Sequence, residues 1–377
     1  MDTQRTESKN QHYVPKMLLR PFAVEGTGGS AIAVLDADKN QVRAKSSIRH
    51  QCAKNFIYGK DGIVEKRLAR LEGVVASTIK DIVRTLVLPE VRTEAWSELI
   101  AFIAAQHGRT EGAGREHNKR ISALNEGMVQ SAKAHEAKEL AARFAASDGD
   151  SNPELESLLD SLSIAPLLFD LKDAIIVNES DIEFAISDLG VVLHNHWSDG
   201  VKAFGNKGFI CHGIIFFLPI SPRHLLIKYD PFAYQLATHK NIVQLADVSA
   251  VKALNGLQVL FAERNVYFTG HESTREALQR IVSNTRRCSR ASQVRISRFV
   301  QSDRGSSELL MLSSESPKVG LNLPWLRIRK NFASIPLRER FNRFRPEATR
   351  AAEKLGFVPN SDLRPSKNMI GTWLRRW

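Results

Sequence analysis

Hydrophobic residues change their period partway along this chain, and only a fold with separate helical and stranded regions accommodates both patterns. In VEKRLARLEGVVASTIKDIVRTLVL, residues 64–88, apolar side chains fall at 64, 68, 71, 74, 75, 79, 82 and 86, the spacing of one helix face. Residues 94–110 (EAWSELIAFIAAQHGRT) predict a second helix and the alanine-rich 118–147 a third. Another is expected within 147–163, with Asn152 as N-cap and Pro153 in the first turn. After residue 180 the apolar residues gather into short runs between turn residues. These runs, EFAIS, GVVLHN, GFICHGIIFFLPIS and HLLIKYD, predict strands. Residues 247–265 return to a helical pattern and lead into a strand, VYF. Ahead of the helices, 31–46 reads as a hairpin turning at DADKN, and 14–23 as a short helix with Pro15 at its start. The expected class is α+β, with an N-terminal hairpin, a helical middle, a strand-rich second half and a basic C-terminal extension. The expected organisation is a disordered N-terminus over 1–9, a body over 10–283, and a basic linker with an aromatic- and arginine-rich extension over 284–377.

Charge divides the chain unevenly. From Arg275 to Trp377 there are 22 Lys and Arg against 8 Asp and Glu, whereas residues 1–274 hold 31 against 33. The last hundred residues therefore carry the whole basic excess, which predicts a surface for a polyanion or, more plainly, a solvated tail. Apolar runs such as HGIIFFLPI at 212–220 are far shorter than the ~20 residues needed to cross a bilayer. The opening MDTQRTESKNQ has no apolar core, so no signal peptide is expected. Cys52, Cys211 and Cys288 are too few and too far apart for a disulfide framework, which fits a reducing cytoplasm.

Six segments, taken in order, carry a resemblance. The first is Gln11, His12, Tyr13, Val14 and Pro15, followed by LLRPF ending at Phe22. The second is 51–72, with Cys52, Tyr58, Glu65 and Glu72, and the third is FIAAQHGRT at 102–110, with Gln106, Arg109 and Thr110. FAISDLGVV (184–192) supplies Ser187 and Asp188, LPISPRHLLI (218–227) follows, and 254–268 supplies Asn255, Ala262 and Tyr267. Together they resemble the domain-of-unknown-function 4238 family of uncharacterised, mainly bacterial proteins, over roughly residues 9–270. The family's Asn-Pro after Ser-Asp is here Leu189-Gly190, so the turn at that corner is expected to differ. The family has no agreed activity, and the resemblance implies relationship rather than mechanism.

Gln11, His12, Arg20, Gln106, Arg109, Ser187, Asp188 and Asn255 are polar groups beside apolar segments, and such groups need partners. One reading is a structural network in which His12 donates to Asp188 and Arg109 bridges Gln11 and backbone carbonyls. The other is a catalytic site built from His12, Gln11, Arg109, Gln106, Ser187 and Asp188. There His12 is the acid or base oriented by Asp188, arginines hold phosphate oxygens, and Ser187 is a nucleophile or hydrogen bonder. Few carboxylates converge, which suits phosphate chemistry without a metal better than a two-metal nuclease. No cofactor is expected: Walker, dinucleotide-binding, nucleophile-elbow and zinc-protease motifs are all absent, and GTGGS at 26–30 precedes a strand rather than a helix. His194 and His196 share a strand face, and Cys211 or His212 is a conceivable companion ligand for zinc. Cys211 and His212 face opposite ways on a strand, however, so the expectation is no metal.

The tail interleaves bases and aromatics in PWLRIRKNF (324–332), RERFNRFR (338–345) and TWLRRW (372–377). Arg327, Arg329, Lys330, Arg343, Arg345, Trp373, Arg375, Arg376 and Trp377 are the expected nucleic-acid contacts, since bases stack on rings while phosphates pair with cations. The competing readings are an amphipathic segment docked on the body and a membrane-surface segment. The leading expectation is a protein that binds or acts on nucleic acid through residues 275–377. The alternatives are a metal-independent phosphodiesterase, nuclease or toxin-like effector centred on His12, and a non-catalytic protein-interaction scaffold.

Overall fold

The computed structural model describes residues 10–134, 137–139, 142, 152–199, 208–285, 294–301, 307–314, 321–340 and 343–356. The expected disorder of residues 1–9 lies outside them. β1 (Asn10–His12) comes first, then α1 (Lys16–Leu19), the hairpin strands β2 (Ala31–Asp36) and β3 (Gln41–Ser47), and β4 (Ala53–Asn55). The helical middle is α2 (Ile63–Thr85), α3 (Glu94–Gly108), α4 (Glu111–Ala134) and α5 (Pro153–Ser163). The second half holds β5 (Lys172–Asn178), β6 (Ile186–Ser187), β7 (Val192–His194), β8 (Ile215–Ser221), β9 (His224–Tyr229), β10 (Tyr234–Leu236) and β11 (Ile242–Leu245). It continues with α6 (Val248–Phe261), β12 (Asn265–Phe268) and α7 (Glu272–Thr285). Beyond these lie β13 (Val294–Gln301), β14 (Ser307–Ser314), β15 (Leu326–Ile328) and the short helices α8 (Lys330–Ala333), α9 (Leu337–Arg340) and α10 (Pro346–Lys354). The class is α+β.

Local chemistry sets several boundaries. Asn152 Oδ1 accepts from Leu155 N at 3.0 Å and caps α5 as expected. Thr93 caps α3, its hydroxyl accepting from Trp96 N. The helix expected from residue 118 begins at 111, because Thr110 Oγ1 takes Ala113 N at 3.1 Å and starts it about two turns earlier.

Two sheets organise the molecule. The first runs β3-β2-β12-β6, and its pairings are antiparallel. The second runs β11-β5-β9-β8-β7, antiparallel except for the parallel pair β11–β5. β8 and β9 are buried on both faces, which explains the continuous apolar run of β8. Phe216, Leu218, Leu226 and Ile175 face a core shared with Leu99, Phe102 and Ile103 of α3. Ile215, Phe217, Leu225, Ile227 and Ile176 face a second core shared with Val251, Leu254 and Leu257 of α6. Leu321, Leu323, Trp325, Leu326 and Phe332 complete that second core, and β15 pairs with β10. Ala348 and Ala352 of α10 join the first. Much of the basic C-terminal region between 321 and 356 is thus packed into the body.

Candidate functional site

The N-terminal motif is held by side chains that bond backbone. The Gln11 amide acts as a substitute peptide: its Oε1 accepts from Tyr58 N at 2.9 Å and its Nε2 donates to Gly59 O at 3.1 Å. Tyr58 Oη in turn donates to Arg109 O at 2.8 Å. The end of α3 grips the next two residues. Gln106 Nε2 donates to Tyr13 O at 3.0 Å and to Leu189 O at 2.9 Å. Arg109 Nε donates to Tyr13 O at 2.9 Å, and Nη2 to His12 O at 3.2 Å and to Glu72 Oε1 at 2.8 Å. The Arg109 side chain is wholly buried. Its Nη1 is buried without a hydrogen-bond partner among the described residues, while Nε and Nη2 are committed to peptide carbonyls and Glu72.

The Ser187–Asp188 corner is built in the same manner. Asp188 accepts three backbone amides at 2.8 Å: Glu263 N on one oxygen, Arg264 N and Asn265 N on the other. Burial pushes its pKa up to about 6, while the three amides pull the other way. The expected partnership of His12 with Asp188 is therefore replaced by an amide cradle at the start of β12. Ser187 donates from Oγ to Gln258 Oε1 at 2.7 Å, and the same oxygen takes Ser187 N at 2.9 Å. Its hydroxyl is thus given to an amide, not to a base that would activate it. One turn earlier on α6, Asn255 takes Ala185 N at 2.9 Å and donates to Glu183 O at 2.8 Å. The two amides serve the open edge of β6, which would otherwise present unpaired peptide groups. The Leu189-Gly190 departure has a geometry of its own. Gly190 sits at φ +72°, and a Cβ there would stand 3.0 Å from Gln106 Nε2.

His12 is half-buried, and its pKa is lowered to about 4 by burial, with Lys16 and Arg109 adding positive charge nearby. Its Nε2 is buried without a hydrogen-bond partner among the described residues. An imidazole tuned that far below neutral is a weak proton acceptor at pH 7. Gln11, Gln106, Arg109, Ser187 and Asp188 are all buried, whereas Arg20 is exposed and stands outside the group. The structure thus brings the motif's residues together, but around peptide groups rather than around a cleft.

The histidines of the second half pair separately. His194 Nε2 lies 3.1 Å from Asp199 Oδ1, and His196 Nδ1 lies 3.0 Å from Asp199 Oδ2. His212 Nδ1 lies 2.8 Å from Asp230 Oδ2 in another buried pair. Cys211 bridges to Phe344, and burial pushes its thiol up to about 12. Neither Cys211 nor His212 belongs with His194 and His196, which corrects the companion ligand weighed from the sequence.

The expected nucleic-acid contacts scatter. Arg345 is fully buried, ion-paired with Asp170 and donating to Leu167 O at 2.7 Å. It is a staple between the tail and the body, not a surface group. Arg329 is exposed but donates to Pro231 O at 2.9 Å and Tyr234 O at 3.2 Å. Arg343 is exposed and pairs with Glu339 at 3.2 Å. Arg327 and Lys330 are exposed. Trp373, Arg375, Arg376 and Trp377 lie outside the described residues. Among the described residues no helix is long and apolar enough to cross a membrane.

Sequence reasoning missed Gln258, Asp199 and Asp170. Gln258 stands three residues after Asn255 on a helix, and Asp199 three after His196, so spacing offered a signal for both. Asp170 had none, because its partner lies 175 residues away.

The family model described as protein of unknown function (DUF4238) matches residues 10–272, and the chain belongs to that family. No curated protein matches the chain, and neither does any solved structure.

Proposed function

We propose that this member of the family is a non-catalytic nucleic-acid-binding protein of the cytoplasm, with its affinity in residues 275–377 and the His12 constellation as the clamp that holds its N-terminal segment. The observation that carries the reading is the charge division: 22 Lys and Arg against 8 Asp and Glu from residue 275 onward, against 31 and 33 before it. The exposure of Arg327 and Lys330 supports it, since both stand on a segment anchored by the buried Trp325 and Phe332. A phosphate bound there meets cations fixed to a folded body. Because Trp325 is committed to the core, base stacking falls to Trp373 and Trp377. Enclosure of the His12 group in backbone hydrogen bonds argues against the nuclease alternative centred on it.

The experiment is fluorescence anisotropy of a labelled single-stranded oligonucleotide, with the full chain and with Arg327→Glu combined with Lys330→Glu. Both side chains are exposed, so the fold tolerates the change. Binding should weaken in the double variant, and its log–log salt slope should shrink by about 0.7 for each phosphate no longer neutralised. No binding by the full chain at low salt would overturn the proposal and favour a protein-interaction scaffold.

A further inference from the structure

The turn after β7 concentrates three donor groups that the clamp does not use. Ligand atoms of His194, His196 and Asp199 all lie within 4.8 Å of one another. The two closest separations are 3.1 Å between His194 Nε2 and Asp199 Oδ1 and 3.0 Å between His196 Nδ1 and Asp199 Oδ2. Two donors bound at about 2.0–2.2 Å to one tetrahedral ion stand roughly 3.3 Å apart. Asp199 Oδ2 alone stands 3.2 Å from His194 Nε2 and 3.0 Å from His196 Nδ1, so these two separations need change by only a few tenths of an ångström, while the two imidazoles, within 4.8 Å of each other, must close up on the ion.

We propose that His194, His196 and Asp199 bind one divalent first-row transition-metal ion, with zinc as the reference member of the class. Two imidazole nitrogens and one carboxylate suit such ions better than Mg²⁺ or Ca²⁺, which prefer oxygen donors. Three protein ligands leave a coordination position for water or another small oxygen or nitrogen ligand, the pattern of exchangeable rather than structural sites. Exposure agrees: the His194 side chain is sealed, while those of His196 and Asp199 are 21% and 24% exposed, so the site has one wet side.

The surroundings hold these donors in place. Asn195, between the histidines, donates to His212 O at 2.8 Å and accepts from Ser198 N at 3.2 Å. Gly213 packs beneath it at φ +80°, where a Cβ would come within 2.6 Å of Asn195 Oδ1 and 2.8 Å of Trp197 Cβ. Tyr234 Oη accepts from Trp197 N at 2.8 Å and donates to Gly213 O at 2.6 Å. The Trp197 indole donates to Phe332 O at 2.9 Å, and the Arg340 guanidinium bonds Trp197 O. Asn195, Trp197 and Ser198 are thereby tied down on either side of His196, the support that a metal site needs around its ligands. His117 offers a contrast. Its two ring nitrogens face separate carboxylates, Glu156 at 3.1 Å and Asp160 at 3.4 Å, so its contacts do not meet at one point.

The test uses the full, tag-free chain, stripped with a chelator and desalted. Zn²⁺ is titrated by calorimetry and Co²⁺ by its visible absorption. One ion per chain is expected, with Co²⁺ bands of a low-symmetry nitrogen–oxygen site. His196→Ala and Asp199→Asn should each weaken Zn²⁺ binding by at least about 100-fold, the upper end of what losing an outer partner costs. His117→Ala should bind as the parent does. Circular dichroism establishes that each variant folds; should Asp199→Asn fail to fold, His196→Ala decides alone. Absence of Zn²⁺ binding by the parent chain, or equal affinity in the folded variants, would overturn the proposal and leave an imidazole–carboxylate hydrogen-bond cluster.

Discussion

Arg109→Ala removes the centre of the N-terminal clamp, and its cost follows from what the guanidinium touches. The fully buried cation donates to the carbonyls of His12 and Tyr13 and to Glu72. Tyr13 O keeps Gln106, but His12 O loses this donor. Glu72, about a quarter exposed, regains water on release. Breaking a buried ion pair costs about 3–5 kcal/mol, and partial exposure of the carboxylate places this one near 3 kcal/mol. For a chain of 377 residues, at roughly 1–2 °C per kcal/mol, the melting temperature should fall by about 3–6 °C. Arg109→Lys keeps the charge but not the fork that reaches two carbonyls and a carboxylate, so it should fall between. Thermal and urea melts followed by tryptophan fluorescence give the readout, with Trp96 on the same helix as one reporter. A catalytic or phosphate-binding arginine behaves otherwise, since functional residues commonly cost stability and their removal leaves it intact or raised. An Arg109→Ala melt within about 1 °C of the parent would refute the clamp.

The acid side of the stability curve should reflect neutral imidazoles. His12 and His107, the latter packed against Phe209 and Phe216, are both pushed down to about 4 by burial from an ordinary 6.5. Between those values the unfolded chain binds more protons, so their contribution is full above pH 6.5 and is lost as pH falls towards 4. Asp188, raised to about 6 from 3.8, runs the opposite way over that interval and blunts the loss. Urea midpoints against pH should flatten in His107→Gln, and an unchanged slope would count against burial of the neutral ring. Asp188→Asn presents an NH₂ or a single acceptor to three amides and should cost about 1–3 kcal/mol in a urea melt at pH 7. A chain ending at residue 285 should lose its cooperative thermal transition, because Trp325, Phe332 and Arg345 leave the interior with the tail.

Periodicity made most of the fold legible. The helices α2, α3, α5 and α6 follow from 3.6-residue patterns and polar caps, and the hairpin follows from its turn. The central strand β5 did not stand out, since KDAIIVN precedes the region where strands were expected and its partners β9 and β11 lie far along the chain. The tail was legible only in part, for a related reason. Basic and aromatic residues look like a surface, but Trp325 and Phe332 fill a sheet face that only three-dimensional packing leaves open. At the motif, sequence named Gln11, Gln106, Arg109, Ser187, Asp188 and Asn255 as polar groups in need of partners, but it included the exposed Arg20 and missed Gln258. It could not tell whether they face peptide groups or a ligand, because an amide or guanidinium satisfies either with the same donors.

The proposed function turns on one measurement: the salt dependence of single-stranded oligonucleotide binding by the full chain and by a chain ending at residue 356. That truncation removes Arg364, Lys367, Arg375 and Arg376 with Trp373 and Trp377, and leaves the described residues intact. The full chain should bind with a steep negative log–log slope of about −0.7 per phosphate neutralised. The truncated chain should show a shallower slope and lose about 1–3 kcal/mol for each stacked base. Salt-insensitive binding, or equal affinity and slope in the two chains, would contradict a nucleic-acid surface in the basic tail.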